Sequence, residues 1–303
     1  MLKTMTINAI LKYIDDNIET KNIDINELVD YSGYSRRYLQ LLFSKHTGIS
    51  IGKYIQRRRI TRAAILLKLT KLSIVTISER LSYDSQQTFT REFKKNTGYT
   101  PLQYRNSNEW TFRHQIGHRE LNDNLSGLEF RYLPEIDFYG TPILFEETIP
   151  YTGAHSQKKW NIVKNRLSFK KECLFLSNKT LQGQNNSEKF KIKSIIWEQK
   201  TFLNGKNTIS EGIYVYVTYK GQINDYISHI KNVYLNFLPA NGLRKKNGYD
   251  LEIISQNNDE SFNFEYYLPI HKEDHAECKP EQSKAYITDI HNHMLNLQHQ
   301  KIN

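Results

Sequence analysis

Residues 81–105 read LSYDSQQTFTREFKKNTGYTPLQYR, and the first third of the chain is organised around them. Ser85 is placed to cap a helix, its hydroxyl accepting an orphan N–H of the first turn. Phe89 and Phe93, at i and i+4, give that short helix one buried stripe. Gln86, Gln87, Thr90, Arg91 and Lys94 take its other face. Gly98 supplies a left-handed exit, and Pro101 stops the chain from running on as helix. Upstream, Ile77, Leu81 and Tyr83 make a first short helix and a turn. Such a unit presents Gln to adenine, Arg to guanine and a Thr methyl to thymine, the groups that read base edges. On this segment alone, a solvated face in an ordinary helical domain is the alternative.

The arrangement recurs. Residues 24–48 read DINELVDYSGYSRRYLQLLFSKHTG. Asp24, with Glu27 three positions on, predicts a capping box for one short helix. Ser32-Gly33-Tyr34 forms the turn, and Ser35 caps a second helix. Tyr38, Leu39, Leu42 and Phe43 are assigned inward, leaving Arg36, Arg37, Gln40 and Leu41 toward a partner. Between the units, Ser50 to about Thr70 predicts one long helix with Ile60, Ala63, Ala64 and Leu67 as its stripe. About twenty residues at roughly 1.5 Å each span roughly 30 Å, close to the ~34 Å turn of B-DNA. Two recognition helices so spaced can enter successive major grooves on one face. Arg57, Arg58, Arg59 and Arg62 cluster on the connector, either as phosphate contacts or as a solvated face. A first helix is expected over Thr6–Glu19, with Ile7, Ile10, Leu11, Ile14 and Ile18 inward, and a closing short helix over 102–106.

These residues carry a resemblance. FTREFKKNTGYTPLQYR and SGYSRRYLQLLFSKHTG resemble the two helix-turn-helix units of the AraC/XylS transcriptional regulators. DSQQTFTREFKK, YIQRRRITRAA and RNSNEW resemble the Rob, MarA and SoxS branch of stress and multidrug-resistance activators. The match runs over residues 6–110 and implies an RNA polymerase contact for the connector arginines. It also carries one departure: where that branch reads SKWHLQRMF, this chain reads SRRYLQLLF, placing Arg37 at the tryptophan position and Leu41 at a basic one. The first half-site is therefore expected to differ from the family's and the second to resemble it.

The composition agrees with a two-part chain. Its 303 residues suit two domains. Residues 1–110 hold 18 Lys/Arg against 10 Asp/Glu, and the remainder 24 against 22, so the excess of +10 is concentrated at the front. A basic third joined to a near-neutral rest fits a polyanion-binding module with an appendage. Cys173 and Cys278 sit in no CxxC or His-spaced pattern and read as free thiols of a reducing cytosol. No apolar run approaches the roughly 18 residues of a membrane span, and Asp15 and Asp16 argue against an N-terminal signal.

From Gly127 the periodicity changes. LEFRYLPEIDFYGTPILFEETIPY alternates and breaks at Gly140-Thr141-Pro142. Trp160–Leu167 begins a helix, KSIIWEQKTF and GIYVYVTYKG alternate, Tyr226–Phe237 reads as helix, and YDLEII and FNFEYYLPI close as strands. This order resembles the GyrI-like effector-binding domain of Rob-type regulators, in which two similar sheet-and-helix halves enclose a cleft for lipophilic, often cationic, small molecules. The resemblance places Glu265 at the acidic position of that cleft. Trp197, Tyr214, Tyr216 and Tyr139 are candidate aromatic walls, with ordinary strand core as the alternative. The tail from Lys272 holds His275, Cys278, His291, His293 and His299 without a metal-ligand spacing. Ala285, Ile287, Ile290, Met294 and Leu297 suggest an amphipathic helix there.

The expected architecture is an all-α domain over 1–110, with helix-turn-helix units near 24–48 and 74–98, a linker at 111–126, an α+β domain over 127–272 and a tail over 273–303. The expected DNA contacts are Ser35, Arg36, Arg37, Gln40 and Leu41 in the first unit, and Ser85, Gln86, Gln87, Thr90, Arg91 and Lys94 in the second. The expected function is a cytoplasmic, sequence-specific regulator that binds double-stranded DNA as a monomer and senses a lipophilic molecule. A protein-interaction role for the second domain is the alternative. No enzyme, cofactor or metal is expected: neither KECLF nor AECKP provides an alkyltransferase cysteine motif, and no phosphate loop or nucleophile triad is present.

Overall fold

The computed structural model describes residues 2–107, 110–111, 129–148, 157–169, 173–181, 189–201, 205–257 and 261–271. The chain divides into two compact units. One comprises Met1–Leu125, Gln184–Glu188 and Asn232–Leu243; the other comprises Ser126–Gly183, Lys189–Lys231 and Arg244–Asn303. Most of the expected linker and the whole tail lie outside the described residues, with Cys278, the tail histidines and the proposed tail helix.

In the first unit α1 (Leu2–Asn17), α2 (Ile25–Ser32), α3 (Arg36–Thr47), α4 (Ile51–Leu69), α5 (Ile74–Arg80), α6 (Gln86–Thr97) and α7 (Pro101–Asn106) follow in order. Ile7, Ile10, Leu11 and Ile14 of α1 pack with Leu28, Leu39, Leu42, Phe43 and Tyr54 in one core. Phe89, Phe93 and Tyr104 form a second aromatic stack, with ring centroids 5.6 and 5.3 Å apart along the row. Serines cap α3, α4, α5 and α6, each accepting a first-turn N–H. Gly48 and Gly98 close α3 and α6 at φ 76° and 83°, where a side chain would strain the backbone.

Three local expectations are corrected. Asp24 caps α2 through the N–H of Asn26, while Glu27 turns away to pair with Lys21 at 2.7 Å and to accept from the Tyr13 hydroxyl. The reciprocal capping box occurs instead at Thr100 and Gln103, which start α7. Tyr38, assigned to the core, is 37% exposed, because its ring packs edge-on against Tyr34 at the rim. Finally α4 has no single stripe: Ile60 through Leu67 are buried on every side, since this helix runs through the middle of the unit.

After the two-residue β1 (Trp110–Thr111), the second part adds β2 (Glu129–Leu133), β3 (Ile136–Tyr139), β4 (Pro142–Thr148), α8 (Gln157–Phe169), β5 (Leu174–Leu181), β6 (Lys189–Ile196), β7 (Lys206–Ile209) and β8 (Gly212–Gly221). Then α9 (Ile223–Asn232) continues through a π-helical stretch at Val233–Phe237 into α10 (Leu238–Asn241), and β9 (Arg244–Lys245), β10 (Asp250–Gln256) and β11 (Phe262–Pro269) end the described chain. Seven strands form one antiparallel sheet in the order β2-β8-β11-β10-β5-β6-β4, and β3 pairs with β7 apart from it. The two halves expected from the resemblance are thus fused through the β10–β5 ladder. Gly140, between β3 and β4, has no room for a side chain: a Cβ would lie 2.0 Å from the Ile196 carbonyl.

The sheet's two faces differ. On one, Phe264 stacks on Tyr226 of α9 with centroids 3.8 Å apart and meets Trp160 of α8 edge-on, so the helices cover this side. On the other, Tyr214, Tyr216, Leu251, Ile253 and Tyr267 pack with Phe138, Trp197 and Ile209. Ile213–Val217 of β8 are buried in succession, on both faces, although the sequence there alternates.

Candidate nucleic-acid interface and small-molecule site

In the first unit, α3 and α6 are short helices held by the same devices: a serine cap, two buried apolar positions four apart and a left-handed glycine. That packing leaves Arg36, Arg37, Gln40 and Leu41 exposed on α3, with Leu41 at 63% although it is apolar. On α6, Gln86, Gln87, Arg91 and Lys94 are exposed and Thr90 is half-buried. Ser35 and Ser85 are occupied as caps. The Ser85 hydroxyl accepts from the Thr88 N–H and donates to Thr88 Oγ1. Lys3 of α1 lies 5.8 Å from the Tyr38 ring centroid, adding a cation beside α3 that the sequence reading missed.

The connector arginines do not act as a set. Arg58 is buried, its Nε 2.7 Å from Asp15 Oδ1. Arg62 is buried as well, with its Nε on Glu19 Oε1, while Arg80 of α5 takes Glu19 Oε2. Desolvation lowers the Arg62 pKa, and the Glu19 charge opposes that shift. Arg58 and Arg62 are therefore withdrawn as phosphate or polymerase contacts: their guanidinium groups tie α4 to the end of α1. Arg57 and Arg59 are half-buried, and Arg59 Nη2 donates to Asn22 Oδ1 at 2.8 Å.

In the second unit the antiparallel register puts Glu265, Tyr267, Tyr216 and Arg131 on one face of neighbouring strands. The hydroxyls of Tyr216 and Tyr267 donate to Glu265 Oε2 at 3.0 and 3.2 Å. Burial first, and the Glu265 charge second, push both phenols far above their ordinary pKa, so they remain protonated donors. Arg131 Cζ lies 3.2 Å from the Tyr216 ring centroid, and its Nη1 donates to the Tyr267 hydroxyl at 3.2 Å. Its Nε and Nη2 reach Glu129 Oε2 at 3.2 and 2.9 Å.

The expected walls divide. Tyr216 joins Glu265. Trp197 is core: it stacks on Phe138 at 5.1 Å and donates Nε1–H to Ser177 Oγ at 2.8 Å. Tyr214 is core too, its hydroxyl on the Ser210 carbonyl at 2.6 Å. Tyr139 is not brought to the cluster; it follows Phe138 on β3, so its side chain takes the opposite side, with Lys200 Nζ 5.4 Å from its ring. Arg131 and Tyr267 were missed, although the alternation Glu129-Arg131-Leu133 placed them within reach of a sheet-face argument. Missed likewise was a buried network on the helix-covered face. Glu252, 1% exposed, takes Lys159 Nζ at 2.5 Å, Asn178 Nδ2 at 2.8 Å and the Tyr226 hydroxyl at 2.9 Å. Among the described residues no group of His, Cys, Asp and Glu could hold a metal, and no helix is long and apolar enough to cross a membrane.

The model of a helix-turn-helix domain matches residues 28–107, and that of a GyrI-like small molecule binding domain matches residues 203–271. The chain is 40% identical over 275 residues to the F1 operon positive regulatory protein of Yersinia pestis, across 90% of this chain and 91% of that one. The chain belongs to the AraC-type transcriptional regulators, in their Rob-like branch. The multiple antibiotic resistance protein MarA of Escherichia coli K12 is 39% identical over 117 residues, which are 38% of this chain and 91% of MarA. The transcriptional regulator Rob of Salmonella typhimurium is 38% identical over 105 residues, 35% of this chain and 36% of Rob. This AraC-type chain is accordingly a DNA-binding transcriptional regulator with a GyrI-like domain, and its relatives are regulators rather than enzymes.

Proposed function

We propose that this regulator is an activator that places α3 and α6 in successive major grooves of one asymmetric site, binding as a monomer. The observation that carries the reading is the pair of capped helices with exposed polar faces, separated in sequence by the long buried α4 and the short α5. The 19 residues of α4 span about 28 Å at roughly 1.5 Å each, against ~34 Å per turn of B-DNA. Arg37, Gln40 and Leu41 then face the first half-site, and Gln86, Gln87, Thr90 and Arg91 the second, with Lys94 on the backbone and Arg36 beside it. Ser35 and Ser85 bring helix N-termini toward phosphate. Arg57 and Arg59 remain as cations for phosphate or RNA polymerase. The name of the Yersinia relative, a positive regulatory protein, supports activation, and the likeness to MarA and Rob supports stress and drug-resistance genes as targets.

The GyrI-like domain, in this reading, senses a lipophilic small molecule at the Glu265–Tyr216 end of its aromatic cluster. The close packing of Trp197 and Tyr214 favours a second reading, in which the domain acts on another protein through its surface. Footprinting and sedimentation of the full chain on a selected site test the first part: protection of two adjacent major grooves with one chain per site is expected, and two chains per site would overturn it. Saturable stabilisation of the full chain by an uncharged aromatic compound would support the sensor reading; its absence together with capture of one protein partner would support the second.

A further inference from the structure

A carboxylate flanked by two phenols and a tyrosine ring face is chemistry that seats an organic monocation. In this chain that seat is taken. Arg131, on the edge strand β2, lies over the Tyr216 ring with Cζ 3.2 Å from its centroid. The side chain is only 11% exposed. The guanidinium is fixed from two sides, by the Tyr267 hydroxyl and by Glu129. Tyr267 in turn donates to Glu265, as does Tyr216, so the chain's own cation and the acidic residue share the same two phenols.

We infer that Arg131 is a resident cation, filling the place a lipophilic cation would occupy, and that it sets the charge preference of the site. The inference rests on reading this cluster as the small-molecule site. Being covalently attached, Arg131 competes at a high effective concentration that no free cation matches. A second cation brought beside it meets like charge where little water is left to screen it. The site therefore refuses monocations, and an uncharged aromatic molecule is admitted only beside Arg131, where it meets no like charge. Arg131→Met keeps an unbranched apolar stem while removing the charge, and so opens the ring face.

The test uses the full chain and two nearly isosteric probes, methyltriphenylphosphonium and the uncharged triphenylphosphine oxide, titrated by calorimetry. The parent protein is expected to bind the oxide and to bind the phosphonium at least tenfold more weakly; Arg131→Met should gain about tenfold or more for the phosphonium. Adding Glu265→Gln to Arg131→Met should abolish that gain, and a gain that survives it lies elsewhere and overturns the inference. Glu129→Gln loosens the tether without deleting the arginine. It should raise phosphonium affinity several-fold, and no change there counts against the resident-cation role even if Arg131→Met folds poorly. Equal phosphonium binding by parent and Arg131→Met overturns the inference while leaving a small-molecule site. If neither probe binds either protein, the small-molecule reading fails and the inference with it.

Discussion

Glu19→Gln should remove a large part of the stability of the DNA-binding unit without touching its exposed faces. One carboxylate serves two guanidinium groups: Oε1 takes Arg62, Oε2 takes Arg80, and the side chains of Glu19, Arg62 and Arg80 are 12%, 7% and 19% exposed. Neutralising it removes the anion that both guanidinium groups share, and Arg58 already adds to the positive field on Arg62. Deleting one partner of a buried ion pair typically costs about 3–5 kcal/mol, a substantial share of the roughly 5–15 kcal/mol by which a domain is stable. Urea unfolding followed at 222 nm, where the helices of this unit dominate, measures it. At an m-value of about 2 kcal/mol/M the midpoint should fall by roughly 2 M. Replacing all three residues by apolar side chains (Glu19→Leu, Arg62→Met, Arg80→Met) should restore most of the loss, because a buried ionic cluster exchanged for well-packed apolar groups is often neutral. A midpoint shift under about 0.5 M for Glu19→Gln would refute the reasoning. It would mean that Arg62 is solvated and free for phosphate, in which case Arg62→Ala would lower the salt slope of DNA binding by about one.

Arg37→Ala and Gln40→Ala should each weaken specific binding by roughly 1–3 kcal/mol, and competition with a scrambled first half-site should show the discrimination gone; unchanged discrimination would mean α3 does not read bases. Arg91→Ala should relax preference at one or two base pairs, whereas Lys94→Ala should weaken all sequences alike and flatten the salt slope by about one; exchanged effects would mean α6 lies the other way round in the groove. Burial pushes the Tyr83 phenol up to about 12. A folded-state pKa above the ordinary ~10 gives a stabilisation complete below pH ~10 and lost as pH rises toward ~12. Tyr83→Phe should remove that part of the alkaline limb in a pH-dependent urea titration. It should cost little at neutral pH, because the Tyr83 hydroxyl is buried without a hydrogen-bond partner among the described residues.

The helix pairs α2–α3 and α5–α6 were legible because each helix is specified locally. Ser35 and Ser85, the pairs Leu39/Phe43 and Phe89/Phe93, and Gly48 and Gly98 each act within one helix, so their spacing alone places the exposed residues between them. Tyr38 was misassigned for the complementary reason: periodicity puts it next to the buried stripe, but whether a rim position is covered depends on what packs opposite. In the second unit the strands β8, β10 and β11 were found from their runs, while LFLSNKTL and KNTI were passed over as β5 and β7, being short or polar in one half. Alternation also failed to identify a lining face there. Both faces of this sheet are covered, so Tyr214 on β8 and Trp197, just past the end of β6, are core although their alternation made them look like walls.

Arginine is where local reading ran out, and the reason is the range of its partners. Arg37, Arg58 and Arg131 are chemically one residue type in three settings: exposed on α3, buried in an ion pair, and laid over a tyrosine ring. What separates them is a residue far away in sequence. Asp15 and Glu19 stand four apart, and so do Arg58 and Arg62, so each acid meets its base across the same 43-residue separation. Two matched steps of four are the pattern that one helix end laid along another produces, because residues four apart share a face. Had the connector arginines been solvated, acids at that spacing, Asp15 on α1 and Glu19 in the turn after it, would have had nothing to answer. With both pairs made, exposed cations remain on several elements: Lys3 and Lys12 on α1, Arg36, Arg37 and Lys45 on α3, Lys53 on α4, Lys71 ahead of α5, and Arg91, Lys94 and Lys95 on α6. Of the connector's cations, then, Arg58 and Arg62 are spent on holding α4 to the end of α1 and the turn after it, while Lys53 stays exposed and Arg57 and Arg59 half-buried.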